Sequence, residues 1–534
     1  MGSLGHTILS YTLSASDSNG RAAATPWKGF PMSSLFRTKS VEQSIAETEE
    51  PEHALKKNLS ALDLTVFGVG VTIGAGIFVL TGTAAATKAG PALVLSFVIA
   101  GIVCALAALC YAELASTVPV AGSAYTFAYA TLGEFIAWII GWDLILEFTL
   151  GSAALATSFS QYLAIVLEKT PFAIPEAIAT VEGGFVNLPA GLLIIGLIFV
   201  LVSGVKLSSR INLVITGIKL VVVAIVVIAG LFFVKASNWV PFIPPAEAPA
   251  AAEGGLMHQP MVQALFGMQP STFGVGGIFA GAAIVFFAFI GFDVVATTAE
   301  EVKNPQKDLP RGIMASLAIV VLLYIFVTFV ITGMQSYKDI DAEGGAPMAA
   351  AFQAVGMDSM ATIIAIGACI GLIVVAMILF MGQTRVGFAM ARDGLLPQWF
   401  SKTGAKAKTP YRLTICTGII IAIIAAFVPL STLSEMVNIG TLAAFVVVSI
   451  GVIVLRRTRP DLQRSFRVPW VPVLPILSVI ACLYLMMNLP MDTWLRFVVW
   501  LIIGVVVYFT WSRGHSRLGR AEKAGKAARA GKAE

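Results

Sequence analysis

The sequence carries little charge for its length. Only 12% of its 534 residues are Asp, Glu, Lys or Arg, whereas 57% are hydrophobic. A soluble domain has about a quarter of its residues charged, so this composition excludes a water-exposed surface around most of the chain. Apolar runs of about 20 residues recur along nearly the whole length, and each could cross the hydrocarbon core of a bilayer. The composition therefore predicts one polytopic membrane domain.

Residues typical of catalytic and metal sites are also scarce. The five cysteines all fall inside apolar runs and show no metal-ligand spacing. The four histidines lie outside those runs, and no nucleophile is paired with a base. We therefore expect neither an enzyme nor a cofactor or metal. The start of the chain lacks the basic flank and apolar core of a cleavable signal peptide, so the N-terminus should stay on the side of synthesis.

Twelve apolar segments, numbered here in chain order, are each interpreted as a membrane span. They cover residues 62–87, 91–117, 133–166, 189–207, 209–234, 276–302, 311–335, 359–391, 411–429, 433–456, 472–488 and 493–512. The chain then divides into an N-terminal segment, 1–58, that we expect to be largely disordered, a transmembrane domain, 59–512, and a basic tail, 513–534.

The positions of Lys and Arg predict the orientation. If residue 1 is cytoplasmic, 29 of the 35 Lys and Arg residues lie in cytoplasmic parts of the chain. Five lie outside, namely Lys88, Lys169, Lys235, Lys338 and Arg496, and the remaining one, Lys219, lies within a segment. Lys and Arg concentrate in cytoplasmic loops of membrane proteins. The bias predicts a multi-pass protein of the cytoplasmic membrane with both termini cytoplasmic.

The lengths and interruptions of the segments suggest an internal repeat. Segments 3 and 8 are unusually long, and glycine interrupts segments 1 and 6. Two halves of five helices would place the second half in inverted orientation, with segments 11 and 12 as additions. In such folds, paired broken helices mark a substrate site near the middle of the membrane.

The first interruption is the run Ile73, Gly74, Ala75, Gly76 and Ile77. Two glycines within three residues weaken a helix. Close packing against another helix is one explanation of these small residues. If the helix opens instead, its free amides and the positive end of the following half-helix could hold a carboxylate, such as that of an amino acid.

The second interruption contains the run Phe286, Phe287, Ala288 and Phe289. Carbonyl groups at the end of the preceding half-helix would suit an ammonium group, and Phe287 could close over a bound substrate. Gly291 and Asp293 follow. Asp293 is placed to cap the second half-helix, and contact with substrate or proton is the alternative role.

Ordered motifs carry a family resemblance. IGAGIF in segment 1, GWDLILE in segment 3, GFDVVATTAEEVKNPQKDLPRGI through segment 6 and RVGFAMARDGLLP after segment 8 resemble the amino acid, polyamine and organocation transporter superfamily. The segment 6 motif is similar to the superfamily's cationic amino acid transporter branch, in its shorter bacterial form. The resemblance implies a leucine-transporter-like fold, alternating access and secondary transport of amino acids. A bundle of segments 1, 2, 6 and 7 would rock against segments 3, 4, 8 and 9.

Four ionisable residues lie in or next to apolar segments, where such residues are functional candidates: Lys219, Glu113, Asp143 and Glu147. Glu113 is near the end of segment 2, so an ion pair with a loop Lys or Arg is the alternative. Asp143 and Glu147 share a face of segment 3. In proton-coupled members of the resembled family, a lysine in helix 5 takes the place of a sodium ion. Lys219 matches it and favours protons, with snorkelling to the interface as the alternative.

The expected partners are an amino acid, protons and the lipid bilayer, with a monomer as the functional unit. We take Lys219, Glu147 and Glu113 as candidates for proton coupling. An amino acid exchanger is the nearest alternative function. A channel should show a row of pore-lining polar groups, and a receptor or sensor would more often carry a large extramembrane domain; neither is evident. The sequence leaves open whether the substrate is cationic or neutral.

Overall fold

A computed structural model describes residues 35–42, 57–120, 122–181, 184–204, 209–248, 255–268, 272–340, 346–404 and 409–530. Most of these residues are helical, and their β pairing is limited to isolated bridges. The predicted all-α class is therefore confirmed. Most of the N-terminal segment lies outside the described residues, and the three-part division of the chain stays a prediction.

Helical structure occurs at every predicted segment. The helices at these twelve segments, in chain order, are Ala61–Thr72 with helical turns over 76–92, Leu93–Thr117, Glu134–Leu167, Leu188–Val202, Ser209–Leu231, Gly274–Val285 with Val294–Thr297, Pro305–Met334, Asp358–Arg392, Tyr411–Phe427, Leu430–Thr458, Val473–Met487 and Met491–Val507. Helices between or after the segments include Ser123–Thr131, Pro347–Ala354 and Arg517–Ala530. Within the described residues, eight helical stretches are long and apolar enough to cross a membrane, and four apolar helices are shorter.

Segments 3 and 8 are the longest helices and pack against each other. They contain 34 and 35 residues. Glycine allows the close approach: a Cβ on Gly151 would lie 3.0 Å from Cδ1 of Leu379, and one on Gly382 would lie 3.6 Å from the ring of Phe148. This pair of helices forms a wall beside the interrupted segments.

Segment 12 is attached to segment 3 by stacked tryptophans. The rings of Trp142 and Trp500 are 4.5 Å apart and nearly parallel. The indole N–H of Trp138 donates to the carbonyl of Gly504 at 2.8 Å, and a side chain on Gly504 would collide with Trp142. The stack fixes segment 12 to the outside of the helical core.

The described start of the chain and the C-terminal tail meet on one face of the protein. Glu134, at the beginning of segment 3, lies 3.4 Å from the guanidinium of Arg37 and accepts a hydrogen bond from Ser516 at 2.5 Å. Lys39 pairs with Asp393, at the end of segment 8, at 3.2 Å. Residues 37–39 and residue 516 therefore lie on the same face.

The helix is broken in both glycine-interrupted segments, as the sequence predicts. In segment 1 the α-helix ends at Thr72, Ile73 is extended with ψ 93°, and a π-helical turn begins at Gly76. In segment 6 the α-helix ends at Val285, a 3-10 turn covers Phe286–Phe289, and Ile290 is extended. Gly291 follows with φ +112°, a conformation that favours glycine.

Candidate substrate site at two helix breaks

The two breaks lie side by side. A Cβ on Gly76 would overlap the Cα of Ala288, and a Cβ on Gly291 would lie 2.7 Å from Cγ1 of Val71. Residue 71 of segment 1 is therefore next to residue 291 of segment 6, and residue 76 is next to residue 288. The segments are antiparallel, and the extended residues of one face those of the other. This contact requires that Gly76 has no side chain and that the backbone of Gly291 is in the left-handed region.

Tyr324 of segment 7 ties the two breaks together. Its hydroxyl lies 2.7 Å from the carbonyl oxygen of Thr72 and 2.8 Å from that of Ala288. The side chain is 1% exposed. Thr72 is the last helical residue before the first break, and Ala288 is in the 3-10 turn of the second. One buried hydroxyl thus serves carbonyls that the interrupted helices leave free.

Lys219 of segment 5 serves the carbonyls of the first break. Its ammonium donates to the carbonyl oxygens of Gly70 and, at 3.2 Å, of Ile73. The side chain has no exposure, and Gly371 of segment 8 packs on its stem, where a Cβ would lie 3.0 Å from Cε. Lys219 therefore lies between segments 1 and 8 and does not reach an interface.

Glu113 is held in a charged cluster away from the breaks. Its carboxylate pairs with Arg456 at 2.6 Å and lies 3.6 Å from Arg464. It also accepts from the amide of Val468 at 2.7 Å. Its contacts are those of the structural ion pair that the sequence offered as the alternative to proton coupling.

Asp143 and Glu147 differ from Glu113 because their buried carboxylate oxygens have no hydrogen-bond partner among the described residues. Each side chain is 1% exposed. Segment 10 approaches Asp143 at Gly440, where a Cβ would lie 2.8 Å from Oδ1. Both residues therefore remain candidates for binding a proton or another cation.

Asp293 contacts its own break. Its Oδ1 accepts from the amide of Gly291 at 3.3 Å, and its side chain makes no capping bond to Val294–Thr297. The residue stands at the predicted N-cap position, but its carboxylate turns back into the break. At 1% exposure it is as buried as Glu147.

The remaining predicted site residues line the breaks and are buried, Phe287 being 5% exposed. Phe286 packs edge-on against Phe445 at 5.7 Å, and Phe289 packs on Tyr324 at 5.3 Å. These two rings therefore pack against other aromatic side chains. Phe287 packs on no other aromatic ring among the described residues.

Segments 3 and 8 supply an aliphatic wall beside Gly74. A Cβ on Gly74 would lie 3.1 Å from Cδ2 of Leu155 and 3.5 Å from Cγ1 of Val375. On the far side of the first break, Tyr162 donates to the carbonyl of Phe78 at 2.5 Å. Both contacts place segment 3 directly against segment 1.

Sequence reasoning missed several of these residues. Tyr324 is an isolated polar residue in an apolar run, and that isolation is a signal the sequence does contain. Asn438, whose contacts are described below, lies in the polar stretch STLSEMVNIGT of its helix, so its polarity does not single it out. Leu155 and Val375 give no such signal, because aliphatic residues fill every segment. Only the packing of segments 3 and 8 on segment 1 identifies them.

Comparisons with known proteins agree with this architecture. A family model described as amino acid permease matches residues 59–509. The chain is 46% identical to a methylthioribose transporter of Bacillus subtilis, over 92% of this chain and all of that protein. It is 45% identical to the branched-chain amino acid permease BcaP of the same organism, over 91% of this chain and 99% of the relative.

The match to a plant relative extends over a smaller share of that relative. Vacuolar cationic amino acid transporter 4 of Arabidopsis thaliana is 40% identical over 80% of this chain and 68% of the relative. The resemblance inferred from the ordered motifs is confirmed. Because the family model covers most of the chain and the two Bacillus subtilis relatives match nearly end to end, the chain belongs to the amino acid permease family.

Proposed function

We propose that this protein is a secondary transporter that moves amino acids across the cytoplasmic membrane by alternating access, coupled to protons. The observation that carries the proposal is the pair of breaks in antiparallel register, with Lys219 bound to the carbonyls of one of them. Broken helices at such a position present free backbone groups where a zwitterion can bind.

The substrate's carboxylate would meet the amides of the first break, over residues 74–77. Its ammonium would meet carbonyls of the 3-10 turn, and Phe287 would close over it. Tyr324 already bonds to the carbonyl of Ala288. A carbonyl oxygen can accept two hydrogen bonds, so the ammonium would share this carbonyl or use the other carbonyls of the turn.

The side chain of the substrate is proposed to be neutral and apolar. Leu155 and Val375 present only carbon atoms beside Gly74. Glu147 is eight residues before Leu155 in the same helix, a rise of about 12 Å, so it is not part of this aliphatic wall. The branched-chain amino acid permease relative supports the same choice.

Proton coupling is assigned to Lys219. Loss of its proton would weaken its hold on the carbonyls of Gly70 and Ile73 and allow segment 1 to move, together with the amides that hold the carboxylate. Glu147 and Asp293 are the next candidates, because they are buried near the second break. The ion pair of Glu113 with Arg456 favours a structural role for that residue.

The proposed topology is twelve spans, arranged as a five-plus-five inverted repeat with segments 11 and 12 added and both termini cytoplasmic. The contact of Arg37 with Glu134 and of Ser516 with the same carboxylate supports an even number of crossings. The functional unit is proposed to be a monomer, since the breaks and Lys219 all come from one chain.

Uptake into proteoliposomes tests the function. Labelled leucine, lysine and methylthioribose are supplied separately, each with an imposed pH gradient, with no gradient, and with sodium but no gradient. Leucine accumulation that requires the pH gradient is the expected result. Methylthioribose is included because of the 46% identical relative, and uptake of this compound alone would overturn the amino acid proposal. Exchange without net accumulation would overturn the coupling.

A further inference from the structure

Asn438 of segment 10 bonds to the end of the first half of segment 6. Its side-chain amide nitrogen lies 2.8 Å from the carbonyl oxygen of Ala283 and 3.0 Å from that of Ile284. The residue is fully buried. Both partners are carbonyl oxygens, which only accept hydrogen bonds. The side-chain amide of Asn438 is therefore oriented with its N–H groups toward segment 6.

The position of these two carbonyls explains the contact. The α-helix of segment 6 ends at Val285, so Ala283 and Ile284 belong to its last turn, where carbonyls begin to lose their usual i+4 partners. The amide N–H of Phe286 also points to the carbonyl of Ile284, and Asn438 adds a side-chain donor from another helix to both carbonyls. The side-chain oxygen of Asn438 has no hydrogen-bond partner among the described residues. A buried acceptor without a donor is unfavourable, and an apolar residue at position 438 would not have this cost.

Segment 10 is wedged between segments 6 and 3 at this level. Two residues beyond Asn438, Gly440 faces Asp143 of segment 3. Residues two apart on a helix point about 200° apart, so the two contacts lie on nearly opposite faces. Phe445, further along segment 10, packs on Phe286 at 5.7 Å and on Phe292 at 5.1 Å, on either side of the second break.

We propose that Asn438 is a positioning residue for substrate binding: by holding the carbonyls of Ala283 and Ile284, it fixes where the helix stops and the substrate-binding turn 286–289 begins. This inference rests on the proposed function. Segment 10 belongs neither to the bundle of segments 1, 2, 6 and 7 nor to segments 3, 4, 8 and 9. Asn438 therefore gives the turn a reference point outside the helices proposed to move together.

The test compares Asn438→Ala and the isosteric Asn438→Asp with the unmodified protein in proteoliposomes. Both changes remove the paired N–H donors, and the aspartate keeps the size of the side chain. Asn488→Ala is the matched control, because buried Asn488 also donates to a backbone carbonyl, that of Tyr484 at 2.8 Å, but at the end of segment 11. KM and maximal rate per reconstituted protein are measured with leucine, together with the melting temperature in detergent.

We expect KM for leucine to rise about tenfold in both Asn438 variants, which corresponds to the loss of roughly one such paired interaction. The maximal rate should change far less. Asn488→Ala should keep the KM of the unmodified protein. A KM within twofold of the unmodified value in Asn438→Asp, even with a lower melting temperature, would show that the contact only stabilises the fold. If the unmodified protein takes up no amino acid, the proposed function fails instead.

Discussion

The ammonium of Lys219 lies 3.2 Å from the carbonyl oxygen of Ile73, the residue at which segment 1 leaves the α-helix. A charged donor at this point stabilises a backbone that has lost its internal hydrogen bonds. In the proposed coupling, the conformation of the break depends on whether the amine holds its proton. A structural requirement and the proposed coupling step are therefore located in one side chain.

Lys219→Ala is expected to abolish accumulation driven by a pH gradient while leaving some substrate exchange, because the backbone amides of the first break remain. The change leaves the carbonyls of Gly70 and Ile73 without their donor, at a cost of about 1–3 kcal/mol in stability. Lys219→Arg should also lose coupling, since a guanidinium does not release its proton.

The measurement is leucine uptake across an imposed pH gradient, with counterflow to detect exchange. Lys169→Ala serves as the control, because exposed Lys169 pairs with Asp358 away from the breaks. Gradient-driven accumulation by Lys219→Ala at the normal level would assign coupling elsewhere, with Glu147 and Asp293 next in order.

Gly76 and Gly74 should respond differently to an added methyl group. A Cβ on Gly76 collides with the backbone of Ala288, which cannot move aside without separating the two breaks. On Gly74 the nearest atom is a terminal carbon of Leu155 at 3.1 Å, which can shift. We expect Gly76→Ala to lose leucine binding and to melt at a lower temperature, and Gly74→Ala to fold normally with weakened binding.

Binding and thermal unfolding of the purified variants distinguish these outcomes. Gly76→Val should reach the membrane but bind no substrate. Normal leucine affinity in either Gly76 variant would mean that the close contact with Ala288 is not needed for the site.

Tyr324→Phe removes only the hydroxyl that serves Thr72 and Ala288. The ring keeps its packing against Phe289, so we expect the fold to survive with a loss of about 1–3 kcal/mol for two buried carbonyls left unpaired. Uptake of leucine should fall severalfold because the two breaks are no longer tied to one donor. Tyr484→Phe, at a partly exposed position of segment 11, is the control, and equal uptake by the two variants would contradict this role.

Glu113→Gln and Glu147→Gln should have opposite effects. Glu113 pairs with Arg456, so its neutralisation should lower the melting temperature and leave the pH dependence of uptake unchanged. The buried Glu147 carboxylate has no hydrogen-bond partner within the described ranges, so its neutralisation should not lower the melting temperature. If Glu147 takes part in coupling, the same change will reduce gradient-driven uptake. A shifted pH dependence in Glu113→Gln would return that residue to the coupling candidates.

The topology predicts opposite accessibility for two lysines that flank segment 7. Lys307→Cys, at its beginning, should react with a membrane-impermeant thiol reagent only from the cytoplasmic side, and Lys338→Cys, past its end, only from outside. The reagent is applied to intact cells and to inverted vesicles, in a background whose own five cysteines are replaced. Labelling of both positions from one side would overturn the twelve-span arrangement.

The sequence by itself determined the helices, the breaks and the candidate lysine. Scarce charge and recurrent apolar runs require helices in a lipid environment, because only hydrogen-bonded backbone can be buried there. Paired glycines in segment 1 and Gly291 in segment 6 weaken the helix locally wherever those segments pack. Lys219 is conspicuous because it interrupts an apolar run.

Only the tertiary structure decided how these features meet. The register of Gly76 with Ala288, the shared hydroxyl of Tyr324 and the amide of Asn438 depend on which helix faces which, and an apolar helix surface can pack in many ways of similar energy. The sequence offered Glu113 as either an ion-pair partner or a coupling residue, and Arg456 became its partner through packing across 343 positions of the chain. Periodicity within one helix contains no information about such a distant neighbour, so the roles of these residues followed from packing alone.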